Sequence, residues 1–197
     1  MKKTIILFIA IGLGAIAHAQ KSKQDEGVKI GIKGGLNIAN VYGDVNDNAI
    51  RTSVVLGLFG EFTITDRFSI QPELLYSGQG FSDQNPVGFS RVKLDYLLLP
   101  IMAKLYLHQN DLSLEFGPQV GFLVSGKNKT NEANETIENI SKVDFGVNVG
   151  LGYELKSNVY FQGRYNLGIT NLNSDSSTSG ATKYSNAVIQ LSVGYLF

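Results

Sequence analysis

KVDFGVNVGLGYEL, residues 142–155, alternates without a break: every odd position from Val143 to Leu155 is apolar or aromatic, and every even one is Lys, Asp, Gly, Asn or Glu. A period of two sends successive side chains to opposite faces of an extended strand, here one greasy face and one polar face studded with glycine. A helix would smear that pattern around its circumference. Strands of soluble sheets usually run about 5 to 6 residues, whereas a strand tilted across a bilayer needs about 9 to 11 in the hydrocarbon. The fourteen residues of this stretch therefore point to a membrane.

The same alternation recurs on both sides of it. Strands are predicted at about 28–39, 52–64, 68–81, 92–107, 112–125, 159–171 and 184–197, which with the opening stretch makes eight. In 112–125, Leu112, Leu114, Phe116, Val120, Phe122 and Val124 oppose Ser113, Glu115, Gly117, Gln119, Gly121 and Ser125. The run KLDYLLLPIMAKLYL is less tidy, with apolar residues on both faces; Leu97, Leu99, Ile101, Ala103, Leu105 and Leu107 are assigned to the greasy one, leaving Lys104 on the other. Pro72 is awkward inside a strand, because proline removes a ladder donor and is tolerated mainly at bulges or edges. The connections alternate long and short: 40–51, 82–91, 126–141 and 172–183 are long, 65–67, 108–111 and 156–158 short. Transmembrane barrels pair short periplasmic turns with longer outer loops, and an even strand count leaves both termini on the periplasmic side.

Residues 1–19 carry Lys2 and Lys3, an apolar run and Ala17-His18-Ala19. A basic start, an apolar middle and a small-x-small end are the three parts of a secretory signal peptide, so cleavage is expected after Ala19. Residues 20–27, QKSKQDEG, read as a polar periplasmic lead-in, and 28–197 as one barrel domain. Beyond the leader no apolar run approaches the roughly 18 residues that a membrane helix needs, so a spanning chain must close into a barrel. The 17 basic and 17 acidic residues make no electrostatic case for nucleic acid. With no Cys there is no disulfide, no thiolate metal site and no cysteine nucleophile.

Alternation alone does not say which face points inward. A soluble lipocalin-like barrel would turn the greasy faces in around an apolar ligand. The inverted arrangement is favoured by three features. The greasy faces hold almost no charge, and aromatics recur toward their ends: Phe62, Phe68, Tyr153, Phe161 and Phe197 on the short-turn side, Tyr76, Phe122, Phe145 and Tyr165 on the other, as interface girdles would. Glycine recurs on the polar face, where a narrow lumen leaves little room. The chain also ends within its last strand, on the alternate aromatics Tyr195 and Phe197.

The terminal Gly194, Tyr195 and Phe197 look like the assembly signal by which the barrel insertion machinery recognises its clients. The ordered segments GIKGGLNIA, FSIQPELLYSGQG, YLLLPIMAKLYL, LEFGPQVGFLVSG and DFGVNVGLGYEL, followed by that strand, resemble the outer-membrane β-barrel domain family of Bacteroidota, often called PorT-like. The resemblance spans residues 28–197 and implies an all-β, eight-stranded antiparallel up-and-down transmembrane barrel in the bacterial outer membrane, in contact with its lipids.

Catalytic and metal chemistry find little support. His108 is the one histidine outside the leader, and it falls in a turn beside Asp111, where neighbours in sequence rarely hold a Ser-His-Asp geometry. One histidine without cysteine is a weak metal site, and no cofactor is expected. One constellation does stand out. The polar faces bring Glu61, Glu73, Glu115 and Glu154 into the barrel half nearer the short turns, with Lys29, Lys33, Lys104 and Arg164. The interior of an eight-stranded barrel is only wide enough for side chains to fill, so these eight read as an ionic plug; a narrow proton or ion path is the functional alternative. The expected role is that of a non-enzymatic barrel whose outer loops, chiefly 126–141 and 172–183, meet surface partners. The alternatives are an accessory part of a secretion or transport assembly, a small membrane enzyme, or the soluble ligand-binding barrel.

Overall fold

Val143–Glu154 is a strand, and its neighbours carry the alternation round a ring. The protein is described by a computed structural model that covers residues 28–43, 48–85, 88–108, 111–129, 134–136, 140–172 and 184–197. Residues 1–27, with the expected leader and lead-in, lie outside the described residues. The strands are β1 (Val28–Gly43), β2 (Asn48–Ala49), β3 (Arg51–Thr65), β4 (Phe68–Asn85), β5 (Gly88–His108), β6 (Leu112–Lys129), β7 (Asn134–Thr136), β8 (Val143–Glu154), β9 (Val159–Gly168) and β10 (Tyr184–Leu196). Eight of them pair antiparallel in the order β1-β3-β4-β5-β6-β8-β9-β10, and β10 closes onto β1. The two short pieces extend the ring outward, β2 beside β4 and β7 beside β6. Closure leaves no barrel strand with an unpaired edge, which is the condition for β-structure in hydrocarbon.

Burial runs opposite to that of a soluble barrel. On β8, Phe145, Val147, Val149, Leu151 and Tyr153 are exposed while Asp144 and Asn148 are buried; on β10, Ile189, Leu191, Val193 and Tyr195 are exposed while Gln190 and Ser192 are buried. The greasy faces look outward, and the lipocalin-like alternative is overturned.

Two expectations about the strands need correction. The stretch 82–91 is not a long loop, because β4 and β5 stay paired out to Asn85 and Gly88. Likewise β1 runs on to Gly43 and β6 to Lys129, into segments expected to be loop. Lipid contact sets the apolar alternation, whereas backbone pairing continues in water with polar side chains; the pattern marks where lipid ends, not where the strand ends. Pro72 lies in mid-strand rather than at an edge or bulge. Pro72, Pro100 and Pro118 fall on the consecutive strands β4, β5 and β6, and pairing resumes beyond the missing rungs in unchanged register, as with Phe59↔Glu73 and then Phe62↔Ile70.

The lumen has two halves of different character. Toward the short turns it is ionic, as described below. Toward the outer mouth Val55, Leu75, Leu94, Tyr96 and Leu98 of β3–β5 form a buried apolar cluster, capped by Val41, Ile140 and Leu172. The caps are tied down by backbone hydrogen bonds, Ser141 N to Leu172 O at 2.9 Å and Leu172 N to Tyr184 O at 2.8 Å. The second apolar face of β5, noted in the sequence and unexplained by a lipid-facing strand, packs inward here.

Candidate functional site

Four buried charges meet at the centre of the ionic half. Arg164 of β9 donates Nη1 to Glu73 Oε2 and Nη2 to Glu73 Oε1, both at 2.9 Å, and Nη2 also reaches Glu115 Oε2 at 3.1 Å. Lys33 of β1 donates to Glu73 Oε2 at 2.8 Å. The fork of a guanidinium matches a carboxylate bidentately, giving both strength and orientation. Neutral side chains complete the set. Gln162 accepts from Lys33 at 3.0 Å and donates to Glu115 at 2.6 Å, and Gln71 donates to Glu73 at 2.6 Å. Two cations thus face two carboxylates, each with several hydrogen-bond partners, in a space closed to solvent.

Glycine makes these reaches feasible. Lys33 stands between Gly57 on β3 and Gly194 on β10 in the register, and Gly150 on β8 stands between Glu115 and Arg164. A Cβ at Gly150 would come within 3.2 Å of Arg164 Cβ, and one at Gly152 within 2.5 Å of Glu115 Oε1. The slots at Gly31 and Gly194 are filled by the rings of Phe59 and Tyr160, which pack edge to face at 5.2 Å.

The other four charges expected in the plug sit nearer the short turns, in two separate pairs. Lys104 donates to Glu61 at 2.7 Å; Glu61 also accepts from the Tyr106 hydroxyl, and the Lys104 ammonium lies 5.2 Å from the Tyr106 ring and 5.8 Å from the Tyr160 ring. Lys29 and Glu154 meet at 3.2 Å on the rim, with side chains 46% and 18% exposed. This rim pair is solvated and belongs to a polar vestibule of about 270 Å³ that also includes Asp111 and Lys156. Sequence reading put Gln71, Gln162, Phe59 and Tyr160 on the polar faces but left them, and Tyr106, out of the ionic network. Parity was the available signal, since Gln71 and Gln162 lie two positions from Glu73 and Arg164 and so share their face.

The arrangement neutralises charge and fills space. Among the described residues no group of three or more His, Asp or Glu side chains could hold a metal ion, and the His108 side chain lies outside the described residues. At the chain end Tyr195 and Phe197 face outward with ring centroids 5.3 Å apart, Phe197 being 71% exposed, while Gly194 faces the lumen against Tyr160.

Residues 18–174 match the profile of the outer membrane protein beta-barrel domain family. The chain belongs to that family. Solved outer-membrane barrels share the fold of this family member. Ail, the attachment invasion locus protein of Yersinia pestis, is 16% identical with a TM-score of 0.54, over 87% of this chain and 99% of Ail. Neisserial surface protein A is 11% identical with a TM-score of 0.56, over 87% and 99% of the two chains. Ail in complex with the heparin analogue sucrose octasulfate superimposes with a TM-score of 0.53 at 14% identity, over the same 87% and 99%. No curated protein matches the chain. Family and fold together place this barrel in the outer membrane, its greasy faces against lipid.

Proposed function

We propose that this barrel is a non-enzymatic outer-membrane scaffold, sealed to solutes, that presents its outer hairpins and loops to partners at the cell surface. The observation that carries the reading is the filled lumen: the Lys33–Glu73–Arg164–Glu115 cluster below and the apolar cluster capped by Ile140 and Leu172 above leave function to the outer rim. The paired extensions of β4, β5 and β6 beyond the greasy band supply a rigid base for such contacts, and rigid scaffolds carrying variable loops are the usual seat of recognition. The reconstituted protein should give no unitary current in a planar bilayer, and photo-crosslinkers placed within 130–139 and 173–183 should form a discrete adduct in intact cells. Sustained conductance, or absence of any adduct, would count against the scaffold role.

A second reading is favoured by the PorT-like order of segments from GIKGGLNIA to DFGVNVGLGYEL: service in a secretion or transport assembly. It differs in consequence, because deletion of the gene would then deplete other proteins from the cell surface. Gly194, Tyr195 and Phe197 are proposed as the signal read by the insertion machinery. Phe197 is highly exposed and directly follows the closing strand, its N–H donating to Ile30 O at 2.8 Å, so Phe197→Ala should lower the amount of heat-modifiable barrel in the outer membrane several-fold while the purified variant refolds normally in detergent. Equal membrane yield would remove that assignment.

A further inference from the structure

One buried acid of the lumen stands apart from the ionic half. Asp144 of β8 is 1% exposed, and its Oδ2 accepts from Asn186 Nδ2 of β10 at 2.8 Å. Its Oδ1 has no hydrogen-bond partner, and no cation among the described residues acts on the carboxyl. Glu61, Glu73 and Glu115, by contrast, each meet a lysine or an arginine. A carboxyl group held out of water needs a counter-charge or a proton.

Two more oxygens without a partner belong to the same place. Asn186 is fully buried and leaves its Oδ1 free. Tyr96 of β5, fully buried as well, brings its hydroxyl within electrostatic reach of Asp144 and beside the Asn186 side chain, with no well-formed hydrogen bond. Glycine clears both approaches. Asn186 reaches Asp144 across the intervening β9, where a Cβ on Gly168 would stand 3.3 Å from that of Asn186. Gly121, the register partner of Asp144 on β6, would with a Cβ come within 3.4 Å of the Tyr96 ring.

Donor type and charge decide what fits. The three free atoms are all oxygens, hard donors that suit alkali and alkaline-earth ions rather than soft metals. Asp144 is a lone acid here: among the described residues no group of three or more acids forms. A single positive charge therefore neutralises it, whereas a divalent ion would leave excess charge buried.

We propose that Asp144, Asn186 and Tyr96 bind one sodium-sized monovalent cation in the outer half of the lumen. Asp144 directly precedes Phe145 of the outer girdle, so the site lies toward the outer mouth. Along β8 it is about 20 Å of strand from Gly150, the register partner of Arg164. The cations of the plug bar the way below, so the ion is held at a dead end and neutralises the interior rather than crossing it. This holds whatever the outer loops contact.

The test is urea unfolding of the refolded full barrel in neutral vesicles, in sodium chloride against choline chloride at equal ionic strength and pH. A ligand that binds only the folded state stabilises it increasingly with concentration, so the wild-type midpoint should rise with sodium and stay flat with choline. D144N, nearly isosteric and uncharged, should lose the sodium response and unfold at higher urea than the wild type does in choline. Y96F keeps its ring in the apolar cluster and gives up one oxygen; it should need several-fold more sodium for half the effect, and it carries the test if D144N does not fold. Equal sodium responses in wild type and variants would overturn the proposal. So would a wild type indifferent to sodium but stabilised by acid in a manner lost in D144N, because a proton would then be what Asp144 holds.

Discussion

Arg164→Met should destabilise the folded barrel by about 3 to 5 kcal/mol, the usual consequence of removing one member of a buried ion cluster. With the guanidinium gone, Lys33 alone faces Glu73 and Glu115, and Glu73 loses both rungs of its bidentate pair. Neither carboxylate can turn to water, because Arg164, Glu73 and Glu115 are sealed between the apolar cap above and the Phe59–Tyr160 pair beside them. The measurement is urea unfolding in lipid vesicles, followed by heat-modifiable mobility. Charge balance supplies the internal control. R164M/E115Q leaves one cation, Lys33, with one carboxylate, Glu73, and should recover at least about 1 kcal/mol relative to R164M, since residues within one network couple by about 0.5 to 3 kcal/mol. A double variant as unstable as the sum of its singles, or an R164M barrel within about 0.5 kcal/mol of wild type, would mean that these charges merely share a space.

The barrel was legible because lipid imposes its chemistry on every second residue. Where the strand faces hydrocarbon, as from Val143 to Leu155, alternation is nearly strict, and the strand follows it closely. Legibility fails where lipid stops acting. Ser82, Arg91 and Lys93 continue their strands beyond the greasy band with no periodic signal, so the β4–β5 hairpin outruns the apolar pattern. It fails differently in β5, where Leu94, Tyr96 and Leu98 are apolar because they pack in the lumen beside Leu75 and Val55. Hydropathy cannot separate a residue that meets lipid from one that meets a buried apolar partner, and only closure of the ring assigns it.

The charged interior was legible by parity and not by partner. Odd and even positions place Lys33, Glu73, Glu115 and Arg164 on inward faces, but which cation meets which acid depends on strand order and stagger. Arg164 reaches Glu115 over Gly150 because β8 lies between β9 and β6 with a glycine at that register position. Lys29 and Glu154 have the same parity as the rest and still end on the solvated rim, since they lie nearest the strand ends. Glycine therefore does two jobs on one face: at Gly31 and Gly194 it admits aromatic rings, and at Gly150 it leaves room for the charged side chain of Arg164. The inward faces of these strands are specified as much by what is missing as by what is present.

Val149→Lys should cost about 2 to 4 kcal/mol of barrel stability in a bilayer, because a lysine on the lipid face at mid-depth has neither water nor a counter-charge. Val149 is 51% exposed on the outward face of β8 and sits midway between Phe145 of the outer girdle and Tyr153 of the inner one. Leu107→Lys places the same charge on the same outward face but beside the short turn that follows β5, where Leu107 is 61% exposed; there the ammonium reaches the interface along its own stem and should cost about 0 to 1 kcal/mol. Reversible urea unfolding in vesicles gives both values. Exposure to water would predict the reverse ranking or no difference, because in an aqueous setting lysine on an exposed strand is benign at either height. The ratio of the two costs thus measures the low-dielectric band directly: equal costs would remove the lipid from around β8, while a large cost at 149 beside a small one at 107 fixes both the depth of the band and the inside-out sense of the barrel.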